Sequence, residues 1–126
     1  MDITPEADSQ TIQIEGYGDG GFRINGRWFR GTVCLLPTGI SQPEVQAVGD
    51  LNGENWPKDV LDQVDDIDVL LVGTGAAMSL IPATAKQALR RAGLHCEPMN
   101  TGAGCRTFNV LVLDGRKIGA LLFPHA

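Results

Sequence analysis

Three groups of residues in this chain have types and spacing that chemistry can use. Gly73-Thr74-Gly75 follows the apolar run Val69-Leu70-Leu71-Val72, and Asn100-Thr101-Gly102-Ala103-Gly104-Cys105-Arg106 follows a second short segment ending near Met99. Free N–H groups at the second turn, with Arg106 one helical turn further on, suit a small anionic ligand carrying a phosphoryl or carboxylate group. Cys105, placed near a helix start, would be a nucleophile with a depressed pKa if exposed. It would need a base, and only His95 and His125 are available. Asp59, Asp62, Asp65, Asp66 and Asp68 are dense enough to raise a divalent-cation site.

Each group also has a plainer reading. Gly73-Thr74-Gly75-Ala76-Ala77-Met78 begins like a dinucleotide fingerprint, but Met78 stands where a small residue should allow close packing, and the helix starts several residues late. No Gly-Lys-Ser/Thr run supports a phosphate loop of the Walker type. Thr101 can simply cap a helix while Arg106 pairs with an acidic neighbour. Cys105 shares a helical face with Phe108, which favours burial in the core over catalysis. The aspartates lack a glycine-centred loop and read better as a solvated acidic face than as a metal site. No cofactor is implied.

The elements that position these groups follow from local pattern. Four consecutive branched apolar residues between Asp68 and Gly73 fit a strand buried on both faces, as in parallel sheets. Pro82 suits the start of a helix, Ala85, Ala88, Leu89 and Ala92 recur on its inner face, and Gly93 supplies a left-handed stop. Leu94 to Pro98 reads as the next strand, central enough to hold His95, and the unit should cross over right-handed. If the strands ending at Val72 and Met99 are parallel, their carboxyl ends set the two glycine turns side by side, where open α/β sheets bind ligands.

Upstream, Thr11 to Glu15 alternates like a half-buried strand, and Gly16 to Gly21 reads as a mobile loop. Asn25-Gly26 between Phe22-Arg23-Ile24 and Arg27-Trp28-Phe29 spells a type I′ hairpin, whose second arm should run through Gly31 to Leu36 and stop at Pro37. Arg23, Arg27 and Arg30 around Trp28 suit either a partner-binding surface or solvated strand faces. From Thr38 to Asn55 a loop is expected, with a short strand around Val45 to Val48. Pro57 should start a helix turning Val60, Leu61 and Val64 inward. Residues 100–117 satisfy two rules at once: a hairpin about Asp114-Gly115, or a helix from Thr101 ended by Gly115. Lys117 to Phe123 is apolar and β-prone, a final strand.

Composition bounds the rest. The 126 residues make one domain, with residues 1–10 an acidic tail and 11–126 a single α/β domain. A net charge of −5 disfavours a nucleic-acid partner. No apolar run is long enough to span a membrane. Three widely spaced cysteines suit reduced thiols, and the first residues carry no secretory pattern, so a cytoplasmic location is expected.

Taken together, the Asn25-Gly26 hairpin leading into Gly31-Thr32-Val33-Cys34-Leu35-Leu36-Pro37, the strand ending at Gly73-Thr74-Gly75, the helix after Ile81-Pro82, the segment Thr101 through Cys105-Arg106-Thr107-Phe108-Asn109, and the strand after Gly115-Arg116 resemble one family. It is domain-of-unknown-function family number 498, which includes bacterial and archaeal single-domain proteins and a mitochondrial assembly factor of NADH dehydrogenase (complex I). The resemblance implies a three-layer α/β fold: a central mixed, largely parallel sheet with packed helices and an added N-terminal β-hairpin layer. It also favours a helix from about Thr101 to Asp114. In function it implies little and supplies no catalytic residues to carry over; the leading expectation is a non-enzymatic interaction or assembly module with a protein partner. An anion binder using Gly73, Thr74, Gly75, Asn100, Thr101, Gly102 and Arg106 is the alternative, and a Cys105 thiol enzyme a third.

Overall fold

The computed structural model describes residues 11–125, so the expected tail at residues 1–10 lies outside the described residues. Strands β1 (Ile14–Gly18), β2 (Gly21–Ile24) and β3 (Arg27–Arg30) form one antiparallel sheet in the order β1-β2-β3. The second sheet adds β4 (Val33–Leu36), β5 (Gly39–Ser41), β6 (Val69–Gly73), β7 (Cys96–Met99) and β8 (Ile118–Leu122), in the order β5-β4-β8-β6-β7. Three helices, α1 (Lys58–Asp62), α2 (Ala83–Arg91) and α3 (Thr101–Leu113), and a 3-10 turn at Val48–Asp50 complete the described elements.

The run at Val69 is a strand dry on both sides. Leu70, Leu71 and Val72 are 0%, 3% and 0% exposed. Because side chains alternate along a strand, Leu70 and Val72 enter one apolar cluster with Ala85 and Leu89 of α2. Leu71 enters the other, with Cys105 and Phe108 of α3 and with Phe22 and Ile24 of the three-stranded sheet. The sheet is the partition between two cores. Burial of side chains of this size contributes about 1.5–3 kcal/mol each, which is why an unbroken run like that at Val69 is a strong signal.

Several expectations need correction. The five-stranded sheet is mixed but not largely parallel: β6 runs parallel to β7 and β8, while β4 is antiparallel to β5 and β8, so two pairings of four are parallel. Gly16 to Gly21 is not a loop. Tyr17 and Gly18 belong to β1, Gly21 opens β2, and Asp19 (φ 51) and Gly20 (φ 78) form a second two-residue hairpin turn. The hairpin arm does not run on to Leu36 either. Gly31, at φ +87, breaks it, and the chain passes from one sheet to the other there. The short strand after Pro37 is Gly39–Ser41, folded back on β4, whereas Val48 opens the 3-10 turn. In α1, Val60 is buried but Leu61 is 43% exposed. In α2, Ala85 and Leu89 are buried, Ala88 is half-buried and Ala92 exposed. The segment after Asn100 resolves as the helix, ended by Gly115 at φ +81.

Candidate functional site

Parallel pairing of β6 and β7 puts Gly73 opposite Met99, so the turns that follow both strands emerge at the same edge. The two glycine segments do meet there, and hydrogen bonds lock them together. Thr74 N–H donates to the Met99 carbonyl at 2.8 Å, and Thr101 N–H donates to the Gly75 carbonyl at 2.8 Å. The Thr101 hydroxyl accepts from Gly75 N–H and donates to the Phe123 carbonyl, both at 2.8 Å. Phe123 N–H returns to the Gly73 carbonyl at 2.8 Å, closing a three-way junction of β6, β8 and α3. Gly73 is required by contact: a Cβ there would stand 2.9 Å from Leu122 Cδ2 and 3.1 Å from Thr101 Cα.

The cap of α3 is Asn100, not Thr101. The Asn100 side chain accepts from Ala103 N–H at 2.8 Å, while Thr101 is fully buried with its hydroxyl turned into the junction. A sequence scan sees two capping residues in a row, and only packing tells which one faces outward. Of the first N–H groups of α3, those of Thr101 and Ala103 are thus occupied internally. That of buried Gly102 has no partner among the described residues. The Tyr17 phenol packs directly over Gly102, and Arg106 Nη1 stands 3.4 Å from the place a Gly102 Cβ would take. Arg106 is exposed and makes no ion pair among the described residues, so the acidic partner expected for it is absent there. The His125 ring lies 5.5 Å from that of Tyr17. Tyr17 carries no local signal for this place, because it is the β1–β2 hairpin that brings it over Gly102.

Thr74 has a second task. Its buried hydroxyl donates to the Ala77 carbonyl at 2.8 Å, with a longer contact to the Met99 carbonyl at 3.2 Å, and accepts from Ser79 N–H at 2.9 Å. This staple fixes the loop between β6 and α2 with Met78 at 55% and Leu80 at 79% exposure. Val110 and Leu113 on α3 are likewise outward, at 65% and 70%. Two apolar residues in a connecting loop are the sequence signal for the first pair.

Cys105 is buried, and burial pushes its thiol up to about 12, with Arg106 lowering it only in part. A thiolate nucleophile at this position is overturned on both access and acidity. His95, expected in a central strand, immediately precedes β7, which is an edge strand, and its exposed ring contacts Glu97 at 2.9 Å. Cys34 is raised to about 12 and Cys96 is raised, both chiefly by burial. Among the described residues no three His, Cys, Asp or Glu side chains gather as a metal site would require. Among the described residues no helix is long and apolar enough to cross a membrane either.

Comparison with known proteins places these features in a lineage. A family model described as "Protein of unknown function (DUF498/DUF598)" matches residues 14–123. The human NADH dehydrogenase [ubiquinone] 1 alpha subcomplex assembly factor 3 is 33% identical over 116 residues, covering 92% of this chain but 62% of its own length. The chain therefore spans less than two thirds of that relative. An uncharacterised protein of Rhodobacter capsulatus is 34% identical over 119 residues, covering 90% of this chain and 85% of its own. Among solved structures, one described as an outer membrane protein from Bartonella henselae superposes with a TM-score of 0.84 at 34% identity, covering 91% of this chain and 96% of that one.

Proposed function

The chain belongs to the DUF498/DUF598 family of proteins of unknown function, and on that premise we propose that it is a non-enzymatic interaction module that docks a protein partner during assembly of a larger complex. The observation that carries this reading is the stapled loop. Thr74 holds residues 74–79 in one shape while Met78 and Leu80 face solvent. Exposed apolar side chains on an ordered loop suit a partner, because their burial on binding is favourable and the loop is already set in shape. The mitochondrial relatives named as assembly factors support the same reading. On this reading the molecule is a three-layer scaffold for its loops, works in the cytoplasm, binds no nucleic acid and performs no reaction of its own. The test is paired capture from the native cells with the wild-type protein and a Met78→Glu/Leu80→Glu variant of unchanged melting temperature. Proteins retained by the wild type and lost from the variant are expected; identical sets from both refute the loop as the docking element.

A second reading has its own support. The Gly102 N–H, which has no partner among the described residues, and the Arg106 guanidinium beside it, which pairs with none of them, suit a small phosphoryl or carboxylate group at the Gly73–Gly75 and Asn100–Arg106 turns. Inorganic phosphate should then raise the melting temperature of the wild type and not of Arg106→Ala. Equal shifts in both proteins exclude that role.

A further inference from the structure

A hollow of about 220 Å³ opens at the edge of the sheet opposite the glycine turns, beside the carboxyl end of α3. Its place follows from the topology: Lys117 immediately precedes β8, and β8 begins level with the start of β6, Ile118 against Val69. The floor is apolar, built from Ile12, Leu36, Phe108 and Val112, and Arg116 and Lys117 complete the wall. Neither cation makes an ion pair among the described residues, and both are exposed. The negative end of the α3 dipole accounts for cations in this neighbourhood. It does not account for the solvent-open apolar hollow that the described residues form beside them, since apolar surface left in contact with water is unfavourable.

An apolar floor with two adjacent cations that no described residue pairs selects on two properties at once. A neutral hydrocarbon would leave the cations without a partner, and a bare inorganic anion would leave the floor wet. We infer that this hollow is a binding site for a small amphipathic carboxylate, its hydrocarbon part on Ile12, Leu36, Phe108 and Val112 and its carboxylate between Arg116 and Lys117. The volume equals that of about seven waters at roughly 30 Å³ each, the scale of a hexanoate chain and too small for a long-chain lipid. Carboxylate recognition by a guanidinium is charge-assisted and geometrically specific, so Arg116 is the anchor and Lys117 a second point charge. The site lies apart from the Met78 and Leu80 loop and does not depend on the docking reading.

The probe is sodium hexanoate, followed by amide chemical shifts in the full chain, with 1-hexanol as the neutral analogue. Saturable shifts confined to the neighbourhood of Ile12, Phe108, Val112 and Lys117 are expected, with hexanol at least tenfold weaker. Arg116→Gln/Lys117→Gln, two exposed changes, should weaken hexanoate at least tenfold and leave hexanol as it was. Non-saturating shifts scattered over the surface, equal affinity for acid and alcohol, or a double variant that binds hexanoate like the wild type would each overturn the assignment. The acid and alcohol comparison uses the unaltered protein, so it decides the assignment even if the double variant does not fold.

Discussion

Replacing Thr101 by Val keeps the shape of the side chain and removes one oxygen from the junction of β6, β8 and α3. That oxygen serves two main-chain groups, Gly75 N–H and the Phe123 carbonyl, at 2.8 Å each. Neither group has another partner among the described residues. A buried polar group left unsatisfied costs about 1–3 kcal/mol. Gly75 is half-buried, so water reaches its N–H and the lower figure applies; Phe123 is 1% exposed, so its carbonyl carries the larger share. The sum is about 3 kcal/mol, a large fraction of the roughly 5–15 kcal/mol that separates folded from unfolded domains. At about 4 °C per kcal/mol for a domain of this size, the melting temperature should fall by roughly 12 °C. Urea titration read by the fluorescence of Trp56, 5% exposed and bonded through Nε1 to the Ala85 carbonyl at 2.8 Å, measures the same loss at room temperature. Thr101→Ser keeps the oxygen and should lose no more than about 1 kcal/mol, the share of the deleted methyl. Equal loss in the Val and Ser variants, or a Val variant within about 0.5 kcal/mol of wild type, would refute the claim that this hydroxyl ties the junction.

Other outcomes follow from single features. The Thr32 hydroxyl is buried and has no partner among the described residues, so Thr32→Val should raise stability by about 1 kcal/mol in the same urea titration; destabilisation would mean the hydroxyl is satisfied. Ala85→Glu drives a carboxylate into the face of α2 that is fully buried, and should cost several kcal/mol or abolish folding, whereas an unchanged melting temperature would remove α2 from the sheet. Cys34 and Cys105 are raised to about 12 from 9.0, so the unfolded chain releases these protons first. Their contribution to stability is therefore full below pH 9 and is lost between pH 9 and 12; midpoints unaltered between pH 8 and 11, or rapid labelling of the native thiols at pH 8, would contradict it.

The features legible without coordinates are those that side-chain chemistry makes obligatory. Asn25-Gly26 demands two positive φ angles and has them, at 49 and 81. The run Val69 to Val72 admits few environments other than the centre of a sheet. Asp19-Gly20 carries the same hairpin signal as Asn25-Gly26 but stands among three other glycines, Gly16, Gly18 and Gly21, which have no side chains to display the alternation of β1 and β2. Gly21 lies beneath the Trp28 ring and beside the Phe29 carbonyl, a closeness that only the folded hairpin reveals. β5 is three residues long, below the length at which alternation has meaning. The two glycine turns share an edge, as parallel strands require, yet most of the N–H groups offered there are used by the junction itself. Whether a donor faces outward or is consumed within depends on neighbours such as Gly75 and Phe123, which no local pattern reports. The hollow at Arg116 has no sequence signature, because its walls come from three stretches far apart in the chain, around Ile12, around Leu36 and from Phe108 to Ile118.

The position of β8 sets an order on folding. It follows every other strand in the chain yet lies between β4 and β6, antiparallel to one and parallel to the other. A nascent chain that has emerged only as far as α3 holds two separate half-sheets, each with a bare inner edge and an apolar face. Such edges are templates for wrong pairing. Release from the ribosome of Ile118 to Leu122, and of Phe123 with its bonds to Gly73 and Thr101, would act as the zip that joins them. The half-made product is the species a chaperone would have to shelter.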